Sequence, residues 1–478
     1  MKIKMFVIAI LLALQTALPS EAQRDLSRAI NQALLSECVS KESTSVRVVD
    51  VHSGRVLYDR KGKKLLIPAS VQKVIITAAA LQRMGANYRF KTTFYRTGPV
   101  EKGVIKGDLI IRGGGDPKLV VEKVWLISQH LNHLGISKID GDLVVDNTFF
   151  DTHKIVPSWN GRNSQRPHDA RLGALSVNFN TIAVIVSPGE KPGDKLNAAI
   201  LPKTDYVRLV NNGVTIGRKK HAIKAWHSYK NGKVMVTVSG KMGTGIKSKT
   251  IYLSVEDPGR YAGEVFKSYL AKAGVTVIGR VAMGHTPRHA ALLMVHESEP
   301  LAVILRYLNK YSNNFIAEQI AKSMAAESSQ SPGSHAKALQ ILRSFLNNLG
   351  VDMGEVKLAD ASGLSRKNRM TAALTTDFLA KVYKRFDIGP DFVATLGIMG
   401  VDGSVRDRMK GAYSKVLSRV KTGSLSKVST LAGYVSGAKG GLYSFAIFLN
   451  NVNCGYKAAD QIEDTIVTNI YKYASIEK

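Results

Sequence analysis

The stretch Pro68-Ala69-Ser70-Val71-Gln72-Lys73 decides the fold of this sequence, because an apolar run, residues 74–81, follows it directly. The pattern predicts a helix whose first turn carries Ser70 and which ends at about Met84. Residues three apart on a helix share a face, so the ammonium of Lys73 should lie near the hydroxyl of Ser70. Apolar neighbours would lower the pKa of this lysine and let it accept the serine proton.

A Ser-x-x-Lys spacing is weak evidence on its own, because short motifs often occur by chance. The same spacing recurs at Ser334/Lys337, Ser418/Lys421 and Ser436/Lys439. Ser70 differs by its predicted place at a helix start, where free backbone N–H groups can stabilise an oxyanion. Companion motifs downstream must therefore decide whether the pair is functional.

The N-terminus has the features of an export leader. Two lysines, Lys2 and Lys4, precede a short apolar core, Met5–Leu14, and small residues lead up to Ala22. This order predicts a signal peptide, residues 1–22, and a protein exported to the periplasm or cell wall. An uncleaved anchor is the alternative. The remaining length suffices for two or three domains with ample cores.

The chain is strongly basic, with 67 Lys and Arg against 37 Asp and Glu and a formal net charge of +30. Such a charge favours work near a polyanion: an anionic wall, a membrane surface or nucleic acid. The densest local cluster is at residues 217–221. No RNA-binding aromatic signature and no zinc spacing is present, so nucleic acid is disfavoured and no metal is expected. A merely solvated basic surface is the alternative for any single lysine.

The chain has two cysteines, Cys38 and Cys454, near its opposite ends. Export permits a disulfide between them, but only if both ends of the chain share a domain. Two free thiols fit the sequence equally well.

Helical and strand patterns alternate along the chain and predict a mixed α/β (α+β) fold. The region 174–251 reads as short strands and suggests a small β-rich insertion, and helices dominate from residue 301 to about 386. Other predicted elements are helices 24–37, 120–134, 259–273 and 457–473, and strands 46–51, 55–59, 90–95, 104–111, 143–146, 276–281, 417–421, 430–436 and 443–449.

Two further motifs follow the Ser70 helix in order. Ser312-Asn313-Asn314 comes after a predicted helix, residues 301–310, and Lys421-Thr422-Gly423-Ser424 closes a predicted strand. Each motif also has a purely structural interpretation: the first can be a helix cap and the second a strand end. Ser176-Val177-Asn178 also fits the pattern of the first motif. All three motifs in order, on helix start, loop and strand, are a much stronger signal.

The residue types suit acyl transfer, which needs a nucleophile, a base, a proton route and an oxyanion site. Ser70 would attack, Lys73 would take its proton, and Ser312 would pass a proton to the leaving nitrogen. The candidate substrate-binding residues are Asn314 for the peptide amide, Lys421 for a carboxylate, Thr422 and Ser424 as hydroxyl donors, and Gly423 for close approach. The backbone N–H groups of Ser70 and Ser424 would form the oxyanion hole.

This motif trio resembles that of penicillin-binding proteins and class A β-lactamases. Ser312 follows Ser70 by 242 positions, whereas Lys421 follows Ser312 by 109. The longer gap contains the β-rich region, and a β-lactamase-like core does not need such an insertion. The pattern is therefore similar to the class C low-molecular-mass penicillin-binding proteins of the penicillin-binding protein 4 type, the D-alanyl-D-alanine carboxypeptidase/endopeptidase family. Further matches to this family lie at residues 107–117, 309–318, 360–366, 421–425 and 431–435.

The resemblance implies a penicilloyl-serine transferase (β-lactamase/transpeptidase-like) domain built from both chain ends, with two nested, β-rich inserted domains. The expected boundaries are 23–88 and 288–478 for the catalytic domain, 89–172 and 252–287 for domain II, and 173–251 for domain III. Both cysteines would then lie in one domain, where a bridge can form.

The family also implies a function: a serine DD-peptidase that cleaves D-Ala-D-Ala ends or D-Ala cross-links of peptidoglycan stem peptides through an acyl-Ser70 intermediate. No cofactor is expected, and β-lactam antibiotics should acylate Ser70. The alternatives are a β-lactamase and a non-catalytic wall-binding protein.

Two positions depart from the family. Ser424 stands where threonine is usual, and residues 166–173 differ from the usual sequence in a region that helps read the peptide side chain. Trp159 would line the same side of the cleft or, as the sequence favours, be structural.

Overall fold

The structure is a computed structural model that describes residues 21–159, 164–217, 220–329, 331–410 and 417–474. The predicted leader, residues 1–22, lies outside the described residues apart from its last two, which begin the first helix. None of the described helices combines the length and apolarity that crossing a bilayer requires.

Helices and strands are mixed along the described chain, as the sequence predicts. The helices are α1 (Glu21–Ala33), α2 (Lys73–Met84), α3 (Val121–His133), α4 (Pro258–Lys272), α5 (Leu301–Tyr311), α6 (Asn314–Ser329), α7 (His335–Asn348), α8 (Ala372–Tyr383), α9 (Gly389–Thr395) and α10 (Tyr456–Tyr473). The strands are β1 (Thr44–Asp50), β2 (Val56–Arg60), β3 (Lys91–Arg96), β4 (Val100–Glu101), β5 (Val104–Ile105), β6 (Leu109–Gly113), β7 (Lys138–Ile139), β8 (Leu143–Asp146), β9 (Thr181–Ser187), β10 (Asn197–Leu201), β11 (Val207–Ile216), β12 (His221–Lys230), β13 (Lys233–Gly243), β14 (Lys249–Ser254), β15 (Thr276–Val277), β16 (Val281–Gly284), β17 (Ala291–Glu297), β18 (Gly397–Ile398), β19 (Ser418–Leu425), β20 (Val428–Ser436) and β21 (Leu442–Asn450).

A six-stranded antiparallel sheet of order β18-β19-β20-β21-β1-β2 unites the two ends of the chain. Successive side chains of a strand point to opposite faces, so β21 contributes to two cores. Phe445 and Ile447 pack with α1 and α10, whereas Ala446 and Phe448 pack with α2 and the helices that follow the insertion. This double burial explains why β21 is a nearly continuous apolar run.

The two cysteines form a disulfide, Cys38–Cys454, with their Cα atoms 5.1 Å apart. The bridge follows from the shared sheet, because β1 and β21 lie side by side and bring the two chain ends together. This settles the alternatives that the sequence left open in favour of the disulfide.

Residues between α2 and α5 form sheets of order β16-β8-β6-β3-β17, β15-β7-β5-β4, β10-β9-β14 and β11-β13-β12. Together with α3 and α4 they surround one continuous apolar core that is separate from the two cores of the large sheet. A β-rich insertion within the catalytic fold is therefore present in the structure.

Strand pairing corrects two of the predicted boundaries. The predicted limit at 287/288 assigns β17 to the catalytic domain, but β17 pairs antiparallel with β3 in the inserted sheet. The limit at 251/252 likewise cuts β14, which pairs with β9 along its whole length. The sequence of a strand does not reveal which strand it pairs with, so the sequence alone places these two limits incorrectly. The predicted strand 276–281 is in fact two short strands, β15 and β16.

Candidate active site

The turn that carries Ser70 differs from the predicted helix start. Residues Ala69–Gln72 form a 3₁₀ turn, and the α-helix begins only at Lys73. Residues three apart eclipse each other in a 3₁₀ turn, so the Ser-x-x-Lys spacing aligns the two side chains even better than an α-helix would. Ala69 has a left-handed backbone, φ +46°, which bends the chain sharply just before the serine.

Lys73 is fully buried and its ammonium has three acceptors. Its Nζ donates to Ser70 Oγ (2.8 Å), to Asn314 Oδ1 (2.6 Å) and to the carbonyl of Ser362 (2.6 Å). Burial lowers the pKa of Lys73 to about 7, with the nearby carboxylates of Asp360 and Glu318 opposing this shift. Near neutral pH the amine can therefore exchange a proton with the serine that it contacts.

Ser312 ends α5 in a left-handed conformation, φ +56°. Its Oγ accepts a hydrogen bond from Lys421 Nζ at 2.9 Å, which connects the second motif to the third. Asn313 has a different role, because its Oδ1 accepts from the backbone N–H of Ile316 and caps α6.

Asn314 is engaged at both ends of its amide. Its Oδ1 accepts from Lys73, and its Nδ2 donates to the carbonyl of His168 at 2.9 Å. The bond to a substrate amide that the sequence predicts for Asn314 stays a prediction, since here the side chain joins the buried lysine to the inserted region.

Lys421 lies within β19 rather than at its end, because the strand continues to Leu425. The side chain is fully buried, and Nζ donates to Ser312 Oγ and to the carbonyl of Thr422 (2.7 Å). Burial and the neighbouring charge of Lys73 hold the pKa of Lys421 well below its usual value. Thr422 Oγ1 is hydrogen-bonded to Ser404 Oγ at 2.9 Å.

The strand passes against the serine turn at Gly423. A Cβ at Gly423 would lie 2.7 Å from the backbone nitrogen of Ser70 and 2.9 Å from the carbonyl oxygen of Pro68. Thr430 on the next strand reinforces this contact, donating to the Pro68 carbonyl at 2.8 Å. Only glycine leaves the two backbones this close, and the exposed Ser424 follows directly.

The structure thus brings together all the predicted site residues from three distant parts of the chain. Direct hydrogen bonds join Ser70, Lys73 and Asn314, and another joins Ser312 to Lys421. Gly423 joins the strand to the serine turn, and Thr422 and Ser424 flank it on β19.

Two buried carboxylates beneath Lys73 were not assigned a role from the sequence. Asp360 accepts from the backbone of Gly363 and Ser365 (both 2.7 Å) and from Trp159 Nε1 (2.9 Å). Glu318 Oε1 accepts from the N–H of Ala361 (3.0 Å) and of Ser362 (2.8 Å). Together they fix the loop 360–365, whose Ser362 carbonyl receives Lys73. Both acids lie inside the stretches that match the family, 309–318 and 360–366, and this match is the sequence signal that points to them.

A cavity of about 340 Å³ borders the site on the side of the inserted region. Its walls include Trp159, Arg166, His168, Leu364, Arg366 and Leu425. Both readings of Trp159 apply, since its ring lines this cavity while its N–H bonds buried Asp360. The walls carry basic side chains together with the carboxylate of Asp169, so the cavity suits a polar group.

No group of three or more His, Cys, Asp or Glu side chains in the described ranges is arranged to hold a metal ion.

Comparison with known proteins agrees with this geometry. The model of the D-Ala-D-Ala carboxypeptidase 3 (S13) family matches residues 26–472. A D-alanyl-D-alanine carboxypeptidase of Actinomadura sp. (strain R39) is 32% identical over 470 residues, covering 95% of this chain and 85% of that protein. D-alanyl-D-alanine carboxypeptidase DacB of Haemophilus influenzae is 26% identical over 440 residues, covering 89% and 90%.

Solved structures show the same fold. The crystal structure of penicillin binding protein 4 from Haemophilus influenzae superimposes with a TM-score of 0.80 at 25% identity, covering 93% of this chain and 99% of that one. The motif trio, its convergence on one cleft and the match over nearly the whole chain lead to one conclusion: this chain belongs to the D-Ala-D-Ala carboxypeptidase 3 (S13) family.

Proposed function

We propose that this protein cleaves peptidoglycan stem peptides by way of an acyl-Ser70 intermediate. As a family member it is a serine-type D-Ala-D-Ala carboxypeptidase. The observation that carries the proposed mechanism is the 2.8 Å hydrogen bond between Ser70 Oγ and the buried amine of Lys73, whose pKa is about 7. A serine hydroxyl becomes a strong nucleophile when an adjacent base takes its proton.

In the first half-reaction, neutral Lys73 accepts the Ser70 proton while Oγ attacks the carbonyl carbon of the penultimate D-Ala. The N–H groups of Ser70 and Ser424 stabilise the oxyanion. The proton then passes by way of Ser312 to the nitrogen of the departing D-Ala. Water then attacks the acyl carbon while Lys73 accepts its proton, and the proton passes to Ser70 Oγ as the C–Oγ bond breaks, which releases the peptide acid and regenerates the serine.

Lys421 binds the terminal carboxylate of the substrate in this scheme. Burial beside Lys73 lowers the pKa of Lys421, so an ammonium there is costly while the site is empty. An arriving carboxylate restores the pKa and stabilises the charged form, which makes binding depend on a substrate with a free carboxylate.

The same site serves D-Ala-D-Ala ends and D-Ala cross-links, and β-lactams acylate Ser70 because they present the same acyl donor and carboxylate. We further propose that the protein acts after export, in the periplasm or cell wall. The large sheet forms the catalytic domain, and the two β-rich insertions form domains II and III.

Labelling with a fluorescent penicillin tests the nucleophile. The wild type and Ser436→Ala, a control at another Ser-x-x-Lys, should label and release D-Ala from a peptide ending in D-Ala-D-Ala. Ser70→Ala should do neither. A stable label on Ser70→Ala would place the nucleophile elsewhere. Rapid turnover of penicillin without D-Ala release would favour a β-lactamase, and wall binding without either reaction would favour a non-catalytic protein.

A further inference from the structure

The charge of the chain is unevenly placed. The segment 206–255 contains ten Lys and Arg and no Asp or Glu, although about four acidic residues would be expected there at the average of the whole chain. It contributes a third of the formal net charge of +30 from about a tenth of the residues. The segment forms β11 to β14 of the insertion, outside the candidate active site.

The sheet β11-β13-β12 has one buried and one exposed face. Val234, Val236 and Val238 of the central strand point into the core of the insertion. Residues directly opposite one another on paired strands share a face. Thr237 alternates with these valines along β13 and therefore points to the outer face. Val210 and Trp226 are both opposite Thr237, so they lie on the outer face as well.

The outer face combines cationic and apolar side chains. Its members relevant here are Arg208, Val210, Val214, Lys224, Trp226 and Lys241, all of which are exposed. Trp226 is 44% exposed, which is unusual for the side chain with the largest apolar area. The only ion pair of these cations within the described residues is a solvent-exposed one, Arg208–Asp205 at 3.5 Å. Such a pair contributes little and is readily exchanged.

We propose that this outer face, defined by those six residues, is a docking surface for an anionic phospholipid bilayer. Lysine and arginine near such a surface are attracted by its headgroups, each by about 1 kcal/mol. A tryptophan ring prefers the interfacial depth where headgroups meet acyl chains, and valine side chains gain from the same burial. A hydrated polymer would satisfy the cations but would leave Trp226 and the valines in water.

Vesicle co-sedimentation of the exported protein tests this surface. Vesicles of phosphatidylglycerol and phosphatidylcholine in equal parts should bind the wild type, pure phosphatidylcholine should not, and added salt should weaken the binding. The triple variant Arg208→Gln, Lys224→Gln, Lys241→Gln should bind roughly 100-fold more weakly. The matched control Lys357→Gln, Lys439→Gln, Lys457→Gln loses the same charge at exposed sites elsewhere and should bind nearly as the wild type does.

The tryptophan gives a second readout. Trp226→Ala should weaken vesicle binding without changing its salt dependence, and should reduce the blue shift of tryptophan fluorescence that binding produces in the wild type. Labelling by penicillin, which depends on Ser70 and not on the six residues of this face, should persist in every variant and reports that each is folded. Equal loss in both triple variants, equal binding to neutral vesicles, or binding to a soluble polyanion but not to vesicles would each overturn the assignment.

Discussion

At the scale of single residues, the site depends on Lys73, whose amine is buried but keeps its hydrogen bonds. An ammonium has three donors, and the structure supplies three acceptors. The charged form is therefore hydrogen-bonded even though burial disfavours it, and the two forms become close in free energy near neutral pH. The spacing of Ser70 and Lys73 predicted this contact, but not the acceptors that come from distant loops.

The pH dependence of acylation should follow this lysine. Because the neutral amine of Lys73 is the reactive form in the proposed mechanism, the rate of penicillin acylation should rise with pH through about 7 and then level off. Glu318 opposes the lowering of the Lys73 pKa, so Glu318→Gln should move the midpoint to lower pH. Stopped-flow measurement of the acylation rate between about pH 5 and about pH 9 gives the midpoint for each protein. Glu355→Gln, an exposed acid, is the control, and an unchanged midpoint in Glu318→Gln would contradict the electrostatic role.

Gly423 provides a steric prediction. A Cβ there would press on the Thr430 hydroxyl and on the backbone of Ser70 and Pro68, so the turn that carries the proposed nucleophile would have to shift. Gly423→Ala should lower kcat/KM at least 100-fold, a cost of about 3 kcal/mol in transition-state stabilisation. Gly455→Ala, which meets no atom within 4 Å, should leave activity unchanged. Activity in Gly423→Ala close to that of the wild type would mean that the strand does not lie against the turn.

At the scale of elements, the loop 360–365 links the insertion to Lys73, the residue that contacts the proposed nucleophile. The ionised carboxylate of Asp360 can only accept hydrogen bonds. It accepts them from the backbone of its own loop and from Trp159 of the inserted region. Sequence patterns do not predict such a loop, because it has no periodicity and its bonds are to residues far away in the chain. They did predict the strands that bracket the site, whose apolar alternation is local information.

Asp360→Asn should disturb this loop. The new amide places N–H donors where the structure already has donors, so at least one buried bond is lost, at a cost of about 1–3 kcal/mol. The Ser362 carbonyl should shift, and the rate of penicillin acylation should fall by more than the loss of folding stability accounts for. Thermal unfolding and acylation kinetics measure the two effects. Asp352→Asn, at an exposed turn, is the comparison, and full acylation rate in Asp360→Asn would mean that the loop tolerates the change.

At the scale of the whole molecule, the insertion between α2 and α5 separates Ser70 from its partners in sequence but not in space. The large sheet brings the ends together through β1 and β21. The discontinuous plan followed from resemblance to the family, whereas the exact limits did not, because the pairing of β17 with β3 is a long-range fact. For the same reason, the residues alone leave the disulfide open, and the shared sheet decides it.

The disulfide yields the last prediction. It closes a loop of 416 residues, so in the unfolded state it removes much of the freedom of the chain ends. The double variant Cys38→Ser, Cys454→Ser should be destabilised by about 2–4 kcal/mol. Penicillin acylation at 25 °C should be retained, because the bridge lies on the α1 and α10 side of the sheet and the serine turn on the other. Denaturant unfolding with and without reductant measures the effect: reductant should lower the wild type to the level of the variant and leave the variant unchanged. Equal stability of the oxidised wild type and the variant would show that the sheet alone holds the two chain ends together.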